Sequence, residues 1–230
     1  MENKKYICCC SGGKDSTVMF LQILKYKLPI DIVIISRIKE EYGFIKFNQD
    51  KIIKLCEQYK IKCIVLNGSF KDLLFNKYKR FPIFCCRWCT DLLKNKPIRK
   101  YLKENFGKKI NYYQYIGFAY DELDRLKSTG FKINYSNGLF PLIDLKLTEA
   151  DCYKIAQEYG FKYDTRFNRS GCWCCPLMNK HDITILINNY PQYWKIIKQW
   201  EQQLNIKWKY NSITKTGGTD YWEKRCKNNF

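Results

Sequence analysis

Histidine is almost missing from this sequence: one residue, His181, in 230. A Ser-His-Asp or Cys-His centre needs an imidazole beside its nucleophile, so those mechanisms are set aside and His181 is read as a surface residue at a helix start. No apolar run approaches the ~20 residues that cross a bilayer, and Met1-Glu2-Asn3-Lys4-Lys5 leads straight into a strand instead of a signal peptide. A cytoplasmic protein with no membrane partner is expected. Arginine is scarce, with 8 Arg among the 41 basic residues against 33 Lys. The formal charge of +19 attracts polyanions, but the forked guanidinium that reads nucleic acid is in short supply. Nucleic acid therefore stays a candidate partner, as substrate or docking surface, beside a plain solvated lysine face. Neither G-x-x-x-x-G-K-S/T nor G-x-G-x-x-G occurs, which removes the two common nucleotide fingerprints. Internal repeats and low-complexity linkers are lacking too.

What is present is a different phosphate cradle. The strand-like run Tyr6–Cys10 ends in Ser11-Gly12-Gly13-Lys14-Asp15-Ser16-Thr17 and passes into the apolar-periodic stretch Val18, Met19, Phe20, Leu21, Ile23, Leu24. Two glycines let successive backbone N–H groups face one anion, and a helix starting near Asp15 adds unpaired donors and its positive dipole end. Lys14 supplies a point charge, and the Ser11 and Ser16 hydroxyls can donate to phosphate oxygens. Asp15 has two readings, a metal contact or a helix cap.

Thirteen cysteines form the second constellation. In a reducing compartment they read as buried hydrophobes or metal ligands instead of disulfides. Cys86-x2-Cys89 and Cys172-x2-Cys175 are two chelating pairs, with Cys85 and Cys174 as alternative thiols beside them. Two such bites supply the four sulfurs of a tetrahedral zinc or a cubane cluster, and the spacing alone does not choose between them. Cys8, Cys9, Cys10, Cys56, Cys63 and Cys152 lie in apolar segments and are expected to be buried. Arg87, Lys94 and Arg169, near the Cys pairs, are candidate anion contacts.

Apolar runs at Tyr6–Cys10, Ile30–Ile35, Lys62–Leu66 and Tyr112–Phe118 read as buried strands, and Leu139–Ile143 as a shorter one. Helices are expected over Asp15–Tyr26, Phe44–Tyr59 and Thr90–Phe106, and from Thr148 as N-cap to about Tyr159. This alternation predicts an α/β fold with a doubly wound, mostly parallel sheet and ligands at the carboxyl ends of its strands. Asp121, Glu122 and Arg125 follow the fourth strand, at such an end. After Pro176 the pattern turns all-helical, with Asp182–Asn189 and Gln192–Leu204, and the tail from Lys207 shows no period. The expected organisation is a nucleotide-binding α/β domain over residues 1–176 and a helical appendage and tail over 177–230.

The Ser11–Ser16 loop resembles the SGGKDS loop of the N-type ATP pyrophosphatases, or PP-loop proteins. Within that superfamily the chain is most similar, over roughly Tyr6 to Trp200, to the phosphoadenosine phosphosulfate reductase family. Arg87-Trp88-Cys89-Thr90 with Leu93-Lys94 and Pro97-Ile98 looks like the family's R-x-C-T-x-x-L-K-x-x-P stretch. Gly117-Phe118-Ala119-Tyr120-Asp121-Glu122 with Arg125 is similar to another of its segments, with Ala119 where an Arg often stands. Pro141-Leu142, Thr148 and Asp151 match a third, and Cys172-Trp173-Cys174-Cys175-Pro176 resembles the signature of a reductase-like branch. The resemblance implies a Rossmann-like adenine nucleotide alpha hydrolase fold binding ATP or a sulfonucleotide with Mg²⁺. It implies a catalytic set of Lys14, Asp15 and Arg125, and nucleotide contacts from Ser11, Gly12, Gly13, Lys14, Asp15, Ser16, Gly117, Asp121 and Glu122. It also tilts the thiol centre toward a 4Fe-4S cluster over zinc. The family's terminal Glu-Cys-Gly-Leu-His motif is absent, and Cys226 in Lys224-Arg225-Cys226-Lys227 is the one substitute. Three activities follow as expectations: adenylation of an acceptor with release of pyrophosphate and sulfur transfer or reduction at the cluster; sulfonucleotide reduction; or a non-catalytic nucleotide- and nucleic-acid-binding module with structural zinc. Oligomer formation is left open.

Overall fold

The computed structural model describes residues 4–107, 111–127, 137–168 and 171–227, the side chains of 125–127 and 227 excepted. Contacts group the chain into two units interleaved in sequence. The first takes in Met1–Arg37, Gly43–Asn67 and Asn95–Tyr163; the second takes in Ile38–Tyr42, Gly68–Lys94 and Asp164–Phe230. Backbone pairing accounts for the interleaving. The Trp173 N–H donates to the Glu40 carbonyl at 3.1 Å, and Glu41 pairs antiparallel with Cys172, so an early segment belongs with the cysteine-rich one.

The sheet has five strands in the order β3-β2-β1-β4-β5: β1 Lys5–Cys10, β2 Ile32–Ile38, β3 Lys62–Gly68, β4 Tyr112–Tyr115 and β5 Gly138–Leu139. β1 runs parallel to both β2 and β4, and β4 parallel to β5. Side chains alternate between faces along each strand, and both faces are covered. Cys8, Cys10, Val33 and Ile35 pack against Val18 and Phe20 of α1 (Lys14–Lys25), Ile52 of α2 (Gly43–Gln58) and Cys152 of the helix Glu149–Glu158. Ile7, Ile32 and Ile34 pack with Leu102 of the helix Lys96–Phe106 on the other face. Each such fully buried aliphatic chain is worth about 1.5–3 kcal/mol. The doubly wound expectation is borne out. Strand order reverses beside β1, so the crevice outside the carboxyl ends of β1 and β4 is where this architecture admits a ligand.

Three local expectations are corrected. β4 stops at Tyr115, short of Phe118. Among the described residues Gly138–Leu139 alone pairs as the fifth strand, because Pro141 has no N–H for a ladder and opens the helical turn Pro141–Asp144 instead. The single helix over Thr90–Phe106 is three pieces: a turn at Trp88–Thr90, a wider π turn at Asp91–Asn95, and a regular helix from Lys96, where Pro97 can sit only in a first turn.

In the second unit, the buried Glu40 carboxylate accepts from the Phe70 and Lys71 amides at 2.7 and 3.2 Å and caps the turn Phe70–Leu73. Aromatic rings fill this unit's interior: Trp88 stacks on Tyr78 and Phe70 at 4.5 and 5.0 Å, and Trp173 on Tyr193 at 4.9 Å. The expected helices are present as Lys180–Asn189 and Pro191–Leu204, and the aperiodic tail adds a helix, Thr219–Lys227. Cys226 is buried on that helix, 5 % exposed, instead of standing in a frayed end. His181 is exposed, as expected of a helix start, with Nε2 2.9 Å from the Arg166 carbonyl oxygen.

Candidate functional site

The loop after β1 is shaped from both sides. Gly12 has φ +82°, and a Cβ there would lie 2.9 Å from the Ile45 carbonyl oxygen and 2.9 Å from Gln49, so only glycine fits. Two buried amides of α2 hold the loop's carbonyls: Gln49 donates to the Ser11 oxygen at 2.9 Å and Asn48 to the Gly12 oxygen at 3.2 Å. The Ser16 hydroxyl donates to the Gly13 carbonyl and accepts from the Ser11 amide, each at 3.1 Å, so it braces the loop. Gly13, the N-cap of α1, has no side chain with which to occupy the first-turn amides. Gly117, after β4, lies against that first turn; a Cβ on it would stand 2.9 Å from Ser16 Cα.

At the same helix end three carboxylates converge. Asp15, Glu122 and Glu149 each bring an oxygen to a point where all three lie within 4.8 Å of one another. Lys14 Nζ sits among them, 3.1 Å from Asp15 and 3.2 Å from Glu149, and 5.3 Å from the centre of the Tyr153 ring. One ammonium pairs with two of the three carboxylates, and burial acts together with these charges on both groups. Burial, then the Glu149 and Glu122 charges, raise the Asp15 pKa against the pull of Lys14. Burial lowers that of Lys14, but the Asp15 and Glu149 carboxylates more than offset this and leave it raised. Asp15 Oδ1 is buried with no hydrogen-bond partner. The neighbouring Cys152 thiol, whose pKa burial and the Asp15 charge push up to about 12, is too weak a donor to satisfy it. An orphaned carboxylate oxygen inside an all-oxygen trio is what a hard divalent cation such as Mg²⁺ takes up. The residues fit that ion.

In the second unit, burial raises the pKa values of the Cys89, Cys172 and Cys174 thiols, and the neighbouring Cys175 adds to the rise of each. The Cys86 sulfur instead faces the Arg80 guanidinium at 3.9 Å, and Cys85 is exposed. Among the described residues no three thiols come within 4.8 Å of one another. Tetrahedral Zn–S bonds of about 2.3 Å set sulfurs about 3.8 Å apart, so the thiols as placed do not fit a single zinc. A cubane interposes iron and sulfide between its thiolates and spaces them more widely, and the soft donor set suits it. Lys94, a candidate anion contact, is 3.8 Å from the buried Glu41 carboxylate.

Sequence reasoning therefore gathers Ser11, Gly12, Gly13, Lys14, Asp15, Ser16, Gly117 and Glu122 at one crevice. Asp121 is engaged elsewhere, since both its oxygens accept from the Glu149 amide, at 3.2 and 3.3 Å. The side chain of Arg125 and the whole of Arg169 lie outside the described residues. Glu149, Asn48 and Gln49 were missed. The two amides left a trace, adjacent polar residues between the apolar Ile45 and Ile52 on the amphipathic α2, and the structure buries both with hydrogen bonds. Glu149 left none.

No protein-family model matches the chain. Two uncharacterised proteins of Methanocaldococcus jannaschii are similar to it, one 27 % identical over 203 residues (83 % of this chain, 46 % of its own), the other 26 % over 210 residues (87 % and 42 %). The chain thus spans less than half the length of the curated relatives it matches. Among solved structures, the U34-tRNA thiolase NcsA from Methanococcus maripaludis with its 4Fe-4S cluster aligns with 89 % of this chain and 74 % of its own, at 21 % identity and TM-score 0.48. The NH3-dependent NAD synthetase from Campylobacter jejuni in complex with nitrate aligns with 89 % and 83 %, at 15 % identity and TM-score 0.42. Likenesses this distant leave the chemistry to be argued from the chain's own residues. No described helix is long and apolar enough to cross a membrane.

Proposed function

We propose that this chain is a PP-loop nucleotide-dependent enzyme that binds ATP at the Ser11–Ser16 loop and adenylates an acceptor. The acceptor oxygen attacks the α-phosphorus, the bond to the bridging oxygen breaks, and pyrophosphate leaves. The observation that carries the reading is the orphaned Asp15 oxygen within the carboxylate trio, beside Lys14 and the uncapped first turn of α1. The first-turn amides and Lys14 hold the departing pyrophosphate and balance its charge. Asp15, Glu122 and Glu149 would hold Mg²⁺, which when bound neutralises phosphate charge. The Ser16 and Gln49 hydrogen bonds fix the loop before the nucleotide arrives, so little ordering is left for binding to oppose.

We assign the Cys89, Cys172, Cys175 group, with Cys174 or Cys86 as the fourth thiol, to a 4Fe-4S cluster that when bound serves sulfur transfer or reduction. Thiols must release their protons to bind metal, so the raised pKa values of Cys89 and Cys172 oppose loading as pH falls. Sulfonucleotide reduction is the weaker reading, because Cys226, its substitute nucleophile, is buried in a helix.

The test is product analysis by phosphorus NMR with ATP, Mg²⁺ and candidate acceptors. AMP and pyrophosphate are expected, lost in Lys14→Ala. ADP and phosphate, or nucleotide affinity that Lys14→Ala leaves unchanged, would overturn the assignment.

A further inference from the structure

The second unit contains a cleft of about 1220 Å³ that the adenylation chemistry does not use. Four cations line it, Arg80, Lys207, Lys209 and Arg225, and among the described residues no lining side chain is acidic. Such a wall repels cations and favours an extended anion. Its volume exceeds the roughly 300–1,000 Å³ of ordinary small-molecule pockets.

Aromatic rings interleave with the charges. Phe84 on one wall is 86 % exposed, and Tyr210 on another is 41 % exposed. A phenylalanine ring so open in water has unfavourable hydration that a planar apolar ligand would relieve. Trp222 carries cations, with Lys209 Nζ and the Arg225 guanidinium each 5.4 Å from its ring centre, and its indole N–H is buried without a hydrogen-bond partner.

The wall is built firmly. The Glu201 carboxylate accepts from the backbone amides of Trp208 and Thr219, and Trp208 Nε1 donates to the Cys174 carbonyl at 3.0 Å. Gly217, at φ +139°, lets the returning chain pass where a Cβ would lie 2.6 Å from Tyr210 Cα. Tyr210 and Lys207 are thus presented on an ordered segment.

Alternating cations and open rings match phosphates and bases along one strand, where each base offers a face to stack and each phosphate a charge. A duplex hides its base faces, and a purely acidic peptide has no use for the rings. We propose that this cleft binds single-stranded nucleic acid. The inference goes beyond the adenylation reading and does not rest on it.

The experiment measures binding of a fluorescent single-stranded oligonucleotide of about 12 nucleotides to the full chain without ATP. A duplex of the same sequence and polyglutamate serve as competitors. Phe84→Ala and Tyr210→Ala are each expected to weaken binding roughly 5- to 100-fold with an unchanged salt slope. Lys207→Gln should flatten the plot of log K against log salt by about 0.7. Exposed Cys85, on the cleft wall, should be shielded from alkylation by the bound strand. Because Phe84 is so exposed, its loss should not shift the urea midpoint, which separates binding from folding. Polyglutamate competing as well as the strand, duplex binding as tightly, or the aromatic variants binding like the parent would each overturn the proposal. So would a concentration-dependent dimer abolished by Phe84→Ala, which would make a second copy the occupant. Repeating the titration in Lys14→Ala separates the two readings: strand binding should persist there even if the ATP assignment fails.

Discussion

Gly117→Ala isolates the close approach that shapes the nucleotide loop. Its Cβ would sit 2.9 Å from both Ser16 Cα and Ser16 N and 3.0 Å from the Asp15 carbonyl carbon, where ordinary contacts begin at 3.4 Å. All three atoms are backbone, so no side-chain rotation relieves the clash. The exit of β4 and the first turn of α1 must part by about half an ångström, at a cost of about 1–3 kcal/mol for an overpacked contact. For a chain of this size that is a fall in Tm of roughly 2–10 °C. The displaced amides are those assigned to phosphate, so ATP affinity by calorimetric titration should fall about tenfold or more. Gly13→Ala is the matched control. Its Cβ would meet only the Ser11 hydroxyl at 3.3 Å, so stability should change by less than about 1 kcal/mol while the methyl still obstructs phosphate. Wild-type melting together with wild-type ATP affinity in Gly117→Ala would refute the packing argument.

Lys14→Ala should weaken ATP binding by about 1.5–3 kcal/mol, the worth of a charge-assisted hydrogen bond; an unchanged Kd would count against the cradle. After anaerobic purification, Cys172→Ser and Cys175→Ser should lose iron and visible absorption and melt earlier, whereas Cys85→Ser should keep both; full occupancy in the first two would remove the thiolate centre. Asp164 accepts from Arg166 at 2.7 and 2.6 Å and from the Tyr190 hydroxyl at 2.8 Å, and these bonds hold its pKa below the usual 3.8. A lowered carboxyl pKa stabilises above the unfolded value and is lost as pH falls through the folded one. Asp164→Asn should therefore cost about 1 kcal/mol at neutral pH, discounted for the half-exposed Arg166, with the gap closing below about pH 4 in urea titrations; a gap constant with pH would contradict the assignment.

The central sheet was legible because its signals are local. β1 and β2 are apolar runs buried on both faces, which is how a parallel strand reads in sequence, and Thr148 with Asp151 forms the capping box their spacing announces. What failed was decided at a distance. Strand character continues through Phe118 as a pattern, yet pairing ends at Tyr115. The aperiodic tail is held through two carboxylates, Glu201 and Glu223, and turns at Gly217, none of which marks a helix or strand in sequence. The pairing of Glu40 and Glu41 with Trp173 and Cys172 likewise joins segments far apart in sequence, and no local pattern marks it.

The candidate site divides along the same line. Glycines and a lysine in a strand-to-helix loop announce phosphate, because backbone amides supply the chemistry and sequence shows where side chains are missing. Carboxylates announce a cation only once they meet. Glu149 has a sufficient local reason to stand where it does, a negative charge in the first turn of a helix, and that reason conceals its approach to Asp15 across 134 residues of chain. Asp121, spelled beside Glu122, looks like the stronger ligand and is spent on the Glu149 amide, which sets the helix that carries Glu149 to the trio. The orphaned oxygen of Asp15 then has meaning only in three dimensions: a chain with a formal charge of +19 keeps a buried carboxylate oxygen unpaired where two further acids crowd it. The single Lys14 ammonium pairs with two of these three acids, and the carboxylate charge left over opposes folding unless a further cation offsets it.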